Sequence, residues 1–135
     1  MFLQPKKFKY KKVQKGGFPK IKYKKNKLTF GNIGLKANQS GRITARQLES
    51  ARQAIVRKIK RKGKLWINIF PSLPVTKKPT EVRMGKGKGN VDYWAAKVSI
   101  GTVLFELTGI SIQNAKAAFR TGRAKLPIKT IIVEQ

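Results

Sequence analysis

The sequence predicts an α+β fold, a mostly antiparallel sheet covered by two helices, and three observations carry that prediction. Residues 44–62 and 112–125 place apolar side chains at helical spacing. Residues 65–70, 93–98, 102–107 and 128–133 are short runs dense in β-branched and aromatic residues, the mark of strands. The chain is 135 residues long and 40% hydrophobic, enough for one domain with a real core. Strands mixed with helices and joined in part by a hairpin suggest helices lying over one face of the sheet.

The elements follow in chain order. Residues 1–27 hold eleven Lys and no acid, with Phe8, Tyr10, Phe18 and Tyr23 interleaved and Gly16, Gly17 and Pro19 breaking any regular element. This segment reads as a basic N-terminal arm, its aromatics available to stack on bases or to pack on the domain. Residues 28–135 read as a single α+β domain. Within it, Leu28-Thr29-Phe30 and Ile33-Gly34-Leu35-Lys36-Ala37 suggest two short strands or one bulged strand. Residues 44–62 form the clearest helix. Thr44 and Gln47 make a capping box, Ile43 and Leu48 a hydrophobic staple, and Gly63 a stop after the cations Lys60, Arg61 and Lys62. Leu48, Ala51, Ile55 and Ile59 form its core stripe, with Arg46, Arg57, Lys60 and Arg61 opposite. Glu49 is the one acid in this helix, so mixed-sign pairing along it is not expected.

Leu65-Trp66-Ile67-Asn68-Ile69-Phe70 reads as a strand ended by Pro71, with Trp66 packed in the core. Pro71, Pro74 and Pro79 then mark a long connector running to Asn90. Residues 93–98 and 102–107 read as a hairpin turning near Ser99-Ile100-Gly101. A second helix over residues 112–125 takes Ser111 as its cap and turns Ile112, Ala115, Ala118 and Phe119 inward. Pro127 ends it, and residues 128–133 form a last strand.

Charge bounds the function. The chain carries 32 Lys and Arg against five acids, a net charge of +27. Solubility needs only about 2–8 charges on a small domain, whereas an excess this large repels itself and is offset by a polyanion. Nucleic acid is the commonest such partner, through release of condensed counterions, and an anionic membrane is the second. With no Cys and no His, disulfides, thiol chemistry, most zinc sites and the commonest general base are removed. Glu49, Glu81, Asp92, Glu106 and Glu134 are scattered, so no carboxylate pair or metal cluster has local support. No apolar run approaches the ~18–20 residues of a membrane span.

The segment Arg83-Met84-Gly85-Lys86-Gly87-Lys88-Gly89-Asn90 is the most distinctive in the chain. Alternating glycines permit positive φ and close backbone approach, and the cations between them seek phosphate. A Walker loop needs a different spacing and must feed a helix, and a dinucleotide fingerprint must follow a strand and open a helix. Neither condition is met, so a nucleic-acid finger ranks first, a plain flexible loop second and a nucleotide cradle third. Three function classes compete: an RNA-binding structural protein, a DNA-compacting protein, and a membrane-surface or nucleotide-binding protein. The DNA reading needs no such finger, and the narrow apolar stripe of the first helix suits domain packing better than a bilayer.

Several segments resemble the large-subunit ribosomal protein L-sixteen family, related to the archaeal and eukaryotic L-ten-e proteins. They are Leu3-Gln4-Pro5-Lys6, Phe30-Gly31 with Gly34-Leu35-Lys36-Ala37, Arg42-Ile43-Thr44-Ala45-Arg46-Gln47-Leu48-Glu49, and Gly63-Lys64-Leu65-Trp66-Ile67. Val75-Thr76-Lys77-Lys78-Pro79, Val82-Arg83-Met84-Gly85-Lys86-Gly87-Lys88-Gly89-Asn90 with Tyr93-Trp94, and Ala124-Lys125-Leu126-Pro127-Ile128-Lys129-Thr130 complete the series. They occur in family order over nearly the whole chain. The resemblance implies an α/β-hammerhead fold, a structural and non-enzymatic role beside the aminoacyl-tRNA site, and a part in late subunit assembly. It implies partners of large-subunit rRNA, tRNA and neighbouring ribosomal proteins, with no cofactor, metal, membrane or homo-oligomer. Carried across, the family's loop is residues 77–90; Lys77, Lys78, Arg83, Met84, Gly85, Lys86, Gly87 and Lys88 lie close to tRNA and the peptidyl transferase centre, with Arg83 and Lys86 nearest. Some bacterial relatives modify the arginine that corresponds to Arg83. The expected rRNA contacts are Lys6, Lys7, Lys9, Lys11, Lys12 and Lys15 on the arm, then Arg42, Arg46, Arg57, Lys60, Arg61 and Lys64. Residues 16–27 and 99–113 and the stretch Arg120-Thr121-Gly122-Arg123 depart from the usual bacterial pattern. With 24 Lys to eight Arg, this drift points to a mitochondrial ribosome, with a plastid or the bacterial cytoplasm as alternatives.

Overall fold

A computed structural model describes residues 3–18 and 27–135. The expectations for Pro19 and Tyr23 fall outside them. Among the described residues seven strands and two helices follow in the order β1 (Ile33–Ala37), β2 (Gly41–Thr44), α1 (Ala45–Lys58), β3 (Lys64–Ile67), β4 (Leu73–Lys77), β5 (Asn90–Val98), β6 (Val103–Thr108), α2 (Ile112–Arg123) and β7 (Thr130–Glu134). Every strand pairing is antiparallel, and the fold is α+β as the sequence predicts. The strands divide between two sheets, one ordered β3-β6-β1-β7 and one ordered β2-β5-β4.

The first helix starts where its capping box requires. The Thr44 side chain accepts from the Gln47 N–H at 3.2 Å, and the Gln47 side chain accepts from the Thr44 N–H at 3.0 Å. Leu48, Ala51 and Ile55 are fully buried and Ile59 nearly so. The helix lies against α2 and against β2 and β5. It ends at Lys58, four residues short of expectation, because Lys60 and Arg61 turn into the left-handed region with φ of 53° and 61°. Their N–H groups still satisfy the carbonyls of Arg57 and Val56. The second helix is likewise shorter than expected. Ser111 sits at its N-cap but makes no side-chain cap bond, and Ile112 is exposed rather than buried. Ala115, Ala118, Phe119 and Gly122 face the core, and Gly122 lies so close to Ile55 that a methyl group there would meet its Cγ1 at 2.5 Å.

Four further expectations change. Leu28-Thr29-Phe30 forms no strand; β1 alone occupies this region, bulged against β6 between Leu35 and Lys36. The expected long connector contains β4, with Pro74 inside it. Proline is tolerated there because β4 is an edge strand, where a missing N–H forfeits no ladder bond. Residues 93–98 and 102–107 are not a hairpin, since β5 belongs to the three-stranded sheet and β6 to the other. The chain turns a corner at residues 99–102, with Gly101 at φ 87° and its N–H donating to Ala37 O at 2.8 Å. Trp66 is not a core residue. It is half-buried on the β3 edge, stacked on Phe30, and Leu65, Ile67 and Ile69 on the opposite face pack against the core instead.

Among the described residues one charge lies inside. Glu106 on β6 is fully buried. Its Oε2 accepts from the backbone N–H groups of Thr29, Phe30 and Gly31 at 3.0, 2.6 and 2.8 Å, and its Oε1 from Asn68 Nδ2 at 2.5 Å. Residues 29–31 are thereby pinned to the four-stranded sheet. Burial acts to raise the carboxyl pKa, but the bonds from Phe30, Gly31, Asn68 and Thr29 outweigh it and hold the group below the ordinary carboxylate value.

Candidate nucleic-acid interface

The Gly/Lys segment is the tip of a β-hairpin. Strands β4 and β5 pair down to Lys77 and Asn90, so the twelve residues 78–89 project from a closed base. Its glycines have different tasks. Gly85 and Gly87 have φ of 101° and 83° with open space where a side chain would stand, and Lys86 between them shares the left-handed region at 55°. Gly89 is needed for closeness, because a Cβ there would strike the Lys77 carbonyl. Arg83, Met84, Lys86 and Lys88 are exposed, Met84 almost completely at 97%. Lys78 donates back to the Gly85 carbonyl and braces the loop across its width. Lys77 is exposed at the base and Lys78 half-buried. Asn90 leads directly into β5, so the loop opens no helix and cannot act as a Walker or dinucleotide cradle.

The arm meets the hairpin. Lys12 Nζ donates to Lys88 O at 2.7 Å, and Lys88 Nζ donates to Val13 O at 2.7 Å, so the two lysines cross-link arm and loop through each other's backbone. Val13 covers the small apolar patch of Leu73, Val75 and Ala95. Phe8 packs on Trp94 with ring centres 5.5 Å apart. Leu3 enters the main core, to which Ala96 also belongs from the opposite face of β5 to Ala95. Between the two readings of the arm aromatics, Phe8 thus packs on its own domain. Lys6, Lys7, Lys9, Lys11, Lys12 and Lys15 are all exposed along this docked course.

Arg42 behaves differently from the other expected contacts. It is half-buried; its Nη2 donates to Gly16 O at 3.0 Å and its guanidinium lies over the Phe18 ring at 5.3 Å. The side chain fastens the arm to β2, a structural role the sequence did not disclose. Arg46, Arg57, Lys60 and Arg61 are exposed on one side of α1 as predicted. Arg57, Lys60 and Arg61 gather with Arg52 around a shallow cleft of about 440 Å³. Arg52 is absent from the contacts the sequence suggests, although its place five residues before Arg57 on the same helix could have suggested it. It also makes a two-pronged ion pair with Glu49 at 2.7 and 2.9 Å, so one mixed-sign pair does occur on this helix. The Arg52 hydrogen bond holds the Glu49 carboxyl below its ordinary value against the opposing effect of burial.

Arg46 sits at the other end of the same face, on an open cleft of about 740 Å³ that also takes in Glu49, Asp92, Tyr93 and Trp94. Two of the five acids line this larger cleft, so it suits phosphate less well than the Arg57 end. Lys64 stands apart on the β3 edge, its Nζ 5.1 Å from the Trp66 ring centre. Among the described residues no group of three or more carboxylates, His or Cys could hold a metal, and no helix is long and apolar enough to cross a membrane.

Comparison with known proteins decides among these classes. The family model described as ribosomal protein L16p/L10e matches residues 5–133. The chain belongs to this family. Among its relatives is the large ribosomal subunit protein uL16 of Dichelobacter nodosus, 56% identical over 128 residues, covering 95% of this chain and 93% of the relative. Those of Bartonella henselae and Francisella tularensis subsp. holarctica are 56% and 53% identical over 133 residues, covering 98% of this chain and 97% of each relative. Membership in the L16p/L10e family makes the chain a structural component of the large ribosomal subunit and not an enzyme. It associates there with rRNA and other ribosomal proteins. These relatives are bacterial, which supports the bacterial alternative and gives the mitochondrial expectation no support.

Proposed function

We propose that the chain holds large-subunit rRNA along its arm and the basic face of α1, and that the β4–β5 hairpin reaches tRNA at the aminoacyl site near the peptidyl transferase centre. In this reading residues 1–27 are an RNA-facing arm on a single domain of residues 28–135. Docking of the assembled arm and hairpin also serves late subunit assembly. The observation that carries the reading is the hairpin tip. Arg83 and Lys86 are exposed, Lys86 within the left-handed run of residues 85–87, yet the base is closed by strand pairing and by the Lys12–Lys88 exchange. Such a finger can bring cations to a polyanion at a defined reach.

The test separates tip from base. Arg83→Ala with Lys86→Ala should leave the protein folded and incorporated in large subunits on a native gradient. Aminoacyl-tRNA accommodation should slow about ten-fold, as expected for loss of one or two charge-assisted contacts. A double variant that sediments free of subunits, or one that accommodates tRNA at the normal rate, would sink the tRNA part of the proposal. Lys88→Ala is a different experiment, because it also releases Val13 and hence the arm.

A further inference from the structure

Phe30 combines a fixed backbone with an exposed ring. Its N–H is held by the buried Glu106 at 2.6 Å, with Thr29 and Gly31 held by the same oxygen. Leu28 reaches in beside it to where a side chain on Gly34 would stand. Yet the residue is 59% exposed, and its ring stacks nearly parallel on Trp66, 19° between planes and 5.9 Å between centres. Trp66 pairs with Glu106 across the ladder and carries Lys64 over its ring. A single exposed aromatic is ordinary on a protein surface. Here, however, three successive backbone donors and a buried carboxylate immobilise a segment whose apolar ring is left in water.

We propose that Phe30, Trp66 and Lys64 form a stacking site for one unpaired or flipped-out nucleobase of RNA, Phe30 extending the Trp66 stack to the base and Lys64 meeting the adjoining phosphate. The proposal rests on the RNA-binding reading above. Two parallel aromatic rings present a π-face that any base can continue, and paired bases inside a duplex cannot offer theirs. Glu106 does not repel the phosphate, because it is buried and its oxygens are engaged by four donors. The cation beside the rings and the net charge of +27 favour a nucleic acid over an apolar segment of a neighbouring protein.

The experiment measures affinity of the full chain for two labelled strands of about ten nucleotides, one of adenosines and one abasic with the same phosphates. The adenosine strand should bind roughly ten-fold tighter. Phe30→Leu, apolar but without a π-face, should reduce that preference to near unity, and Phe30→Tyr should keep it. Lys64→Gln should keep the preference while lowering the salt slope by about one phosphate contact. Equal binding of the two strands by the unmodified chain would overturn the site while leaving the RNA-binding reading intact. A preference that survives Phe30→Leu would place the stacking elsewhere and also overturn it. If neither strand binds, the broader reading fails as well. In assembled particles, normal incorporation of Phe30→Leu together with failure of Phe30→Asp would mark a contact with an apolar protein segment instead, and the nucleobase site would be abandoned.

Discussion

At the scale of single residues, Glu106 has the largest structural consequence for its size. One carboxylate in a chain with a net charge of +27 is fully buried and receives four hydrogen bonds from two parts of the chain, residues 29–31 and Asn68. Bonds to a charged acceptor stabilise by roughly 1.5–3 kcal/mol each, and a neutral amide in its place would turn a donor toward donors. Glu106→Gln should therefore lower stability by about 2–4 kcal/mol, read from denaturant midpoints. The pH dependence has a definite sign. The folded carboxyl lies below its ordinary value of 4.5, so its contribution is fully present above about pH 4.5 and is lost as pH falls through the lowered value. The acid-side loss should be smaller in Glu106→Gln. An identical acid profile in both proteins would assign acid unfolding to other groups.

The sequence hints at Glu106 only by placing an acid inside the run Val103-Leu104-Phe105-Glu106-Leu107. An acid amid apolar residues on a strand is as readily a solvated position on an open face. Its three backbone partners lie about 75 residues away, and no local pattern encodes such a pairing. Trp66 was misjudged for the same reason. Trp66 lies on the edge strand β3, and Phe30 is delivered to it by the Glu106 clamp.

At the scale of elements, α1 was the most legible. Its start follows from a local exchange between Thr44 and Gln47, and its buried stripe from 3.6-residue spacing. Its end was less so. A C-terminal turn usually places Gly in the left-handed position, but here Lys60 and Arg61 occupy it and Gly63 follows. This is a small strain that sets two cations beside Arg57. Lys60→Gly should accordingly raise stability by about 0.5–1 kcal/mol, while weakening rRNA binding a few-fold by removal of one charge-assisted contact. Thermal melts and filter binding on the same preparation check both signs. A loss of stability would mean that the Lys60 side chain supports the fold rather than the interface. The hairpin was harder to see, because Pro74 argues against a strand unless the strand is known to lie at an edge. The expected hairpin at residues 93–107 failed because strand order between sheets is a property of packing.

At the scale of the whole molecule, a net charge of +27 acts in opposite directions on folding and on binding. Salt screens self-repulsion, so the melting temperature of the free protein should rise between 50 and 200 mM salt, values that span the range where screening changes most. Affinity for rRNA should fall over the same interval, by roughly 10³–10⁵ if six to ten phosphates are neutralised. A melting temperature that falls with salt would show that specific ion pairs outweigh the general repulsion. That outcome is not expected from the ion pairs Glu49–Arg52 and Lys116–Glu134 found among the described residues.

The sequence by itself determined the α+β class, both helices and their buried faces apart from Ile112, the basic character of the surface, and the family through the ordered motifs around residues 83–94. These depend on local spacing, composition and short contiguous patterns, which the linear chain carries directly. Only the tertiary structure decided that the strands split into two sheets, that residues 78–89 cap a β4–β5 hairpin, and that Lys12 and Lys88 join the arm to it. It alone gave Arg42 to the arm and Glu106 to residues 29–31. Each of these rests on a contact between residues far apart in the chain. Such a contact forms because the packed core fixes where distant backbone donors and acceptors meet, not because either residue's neighbours announce it.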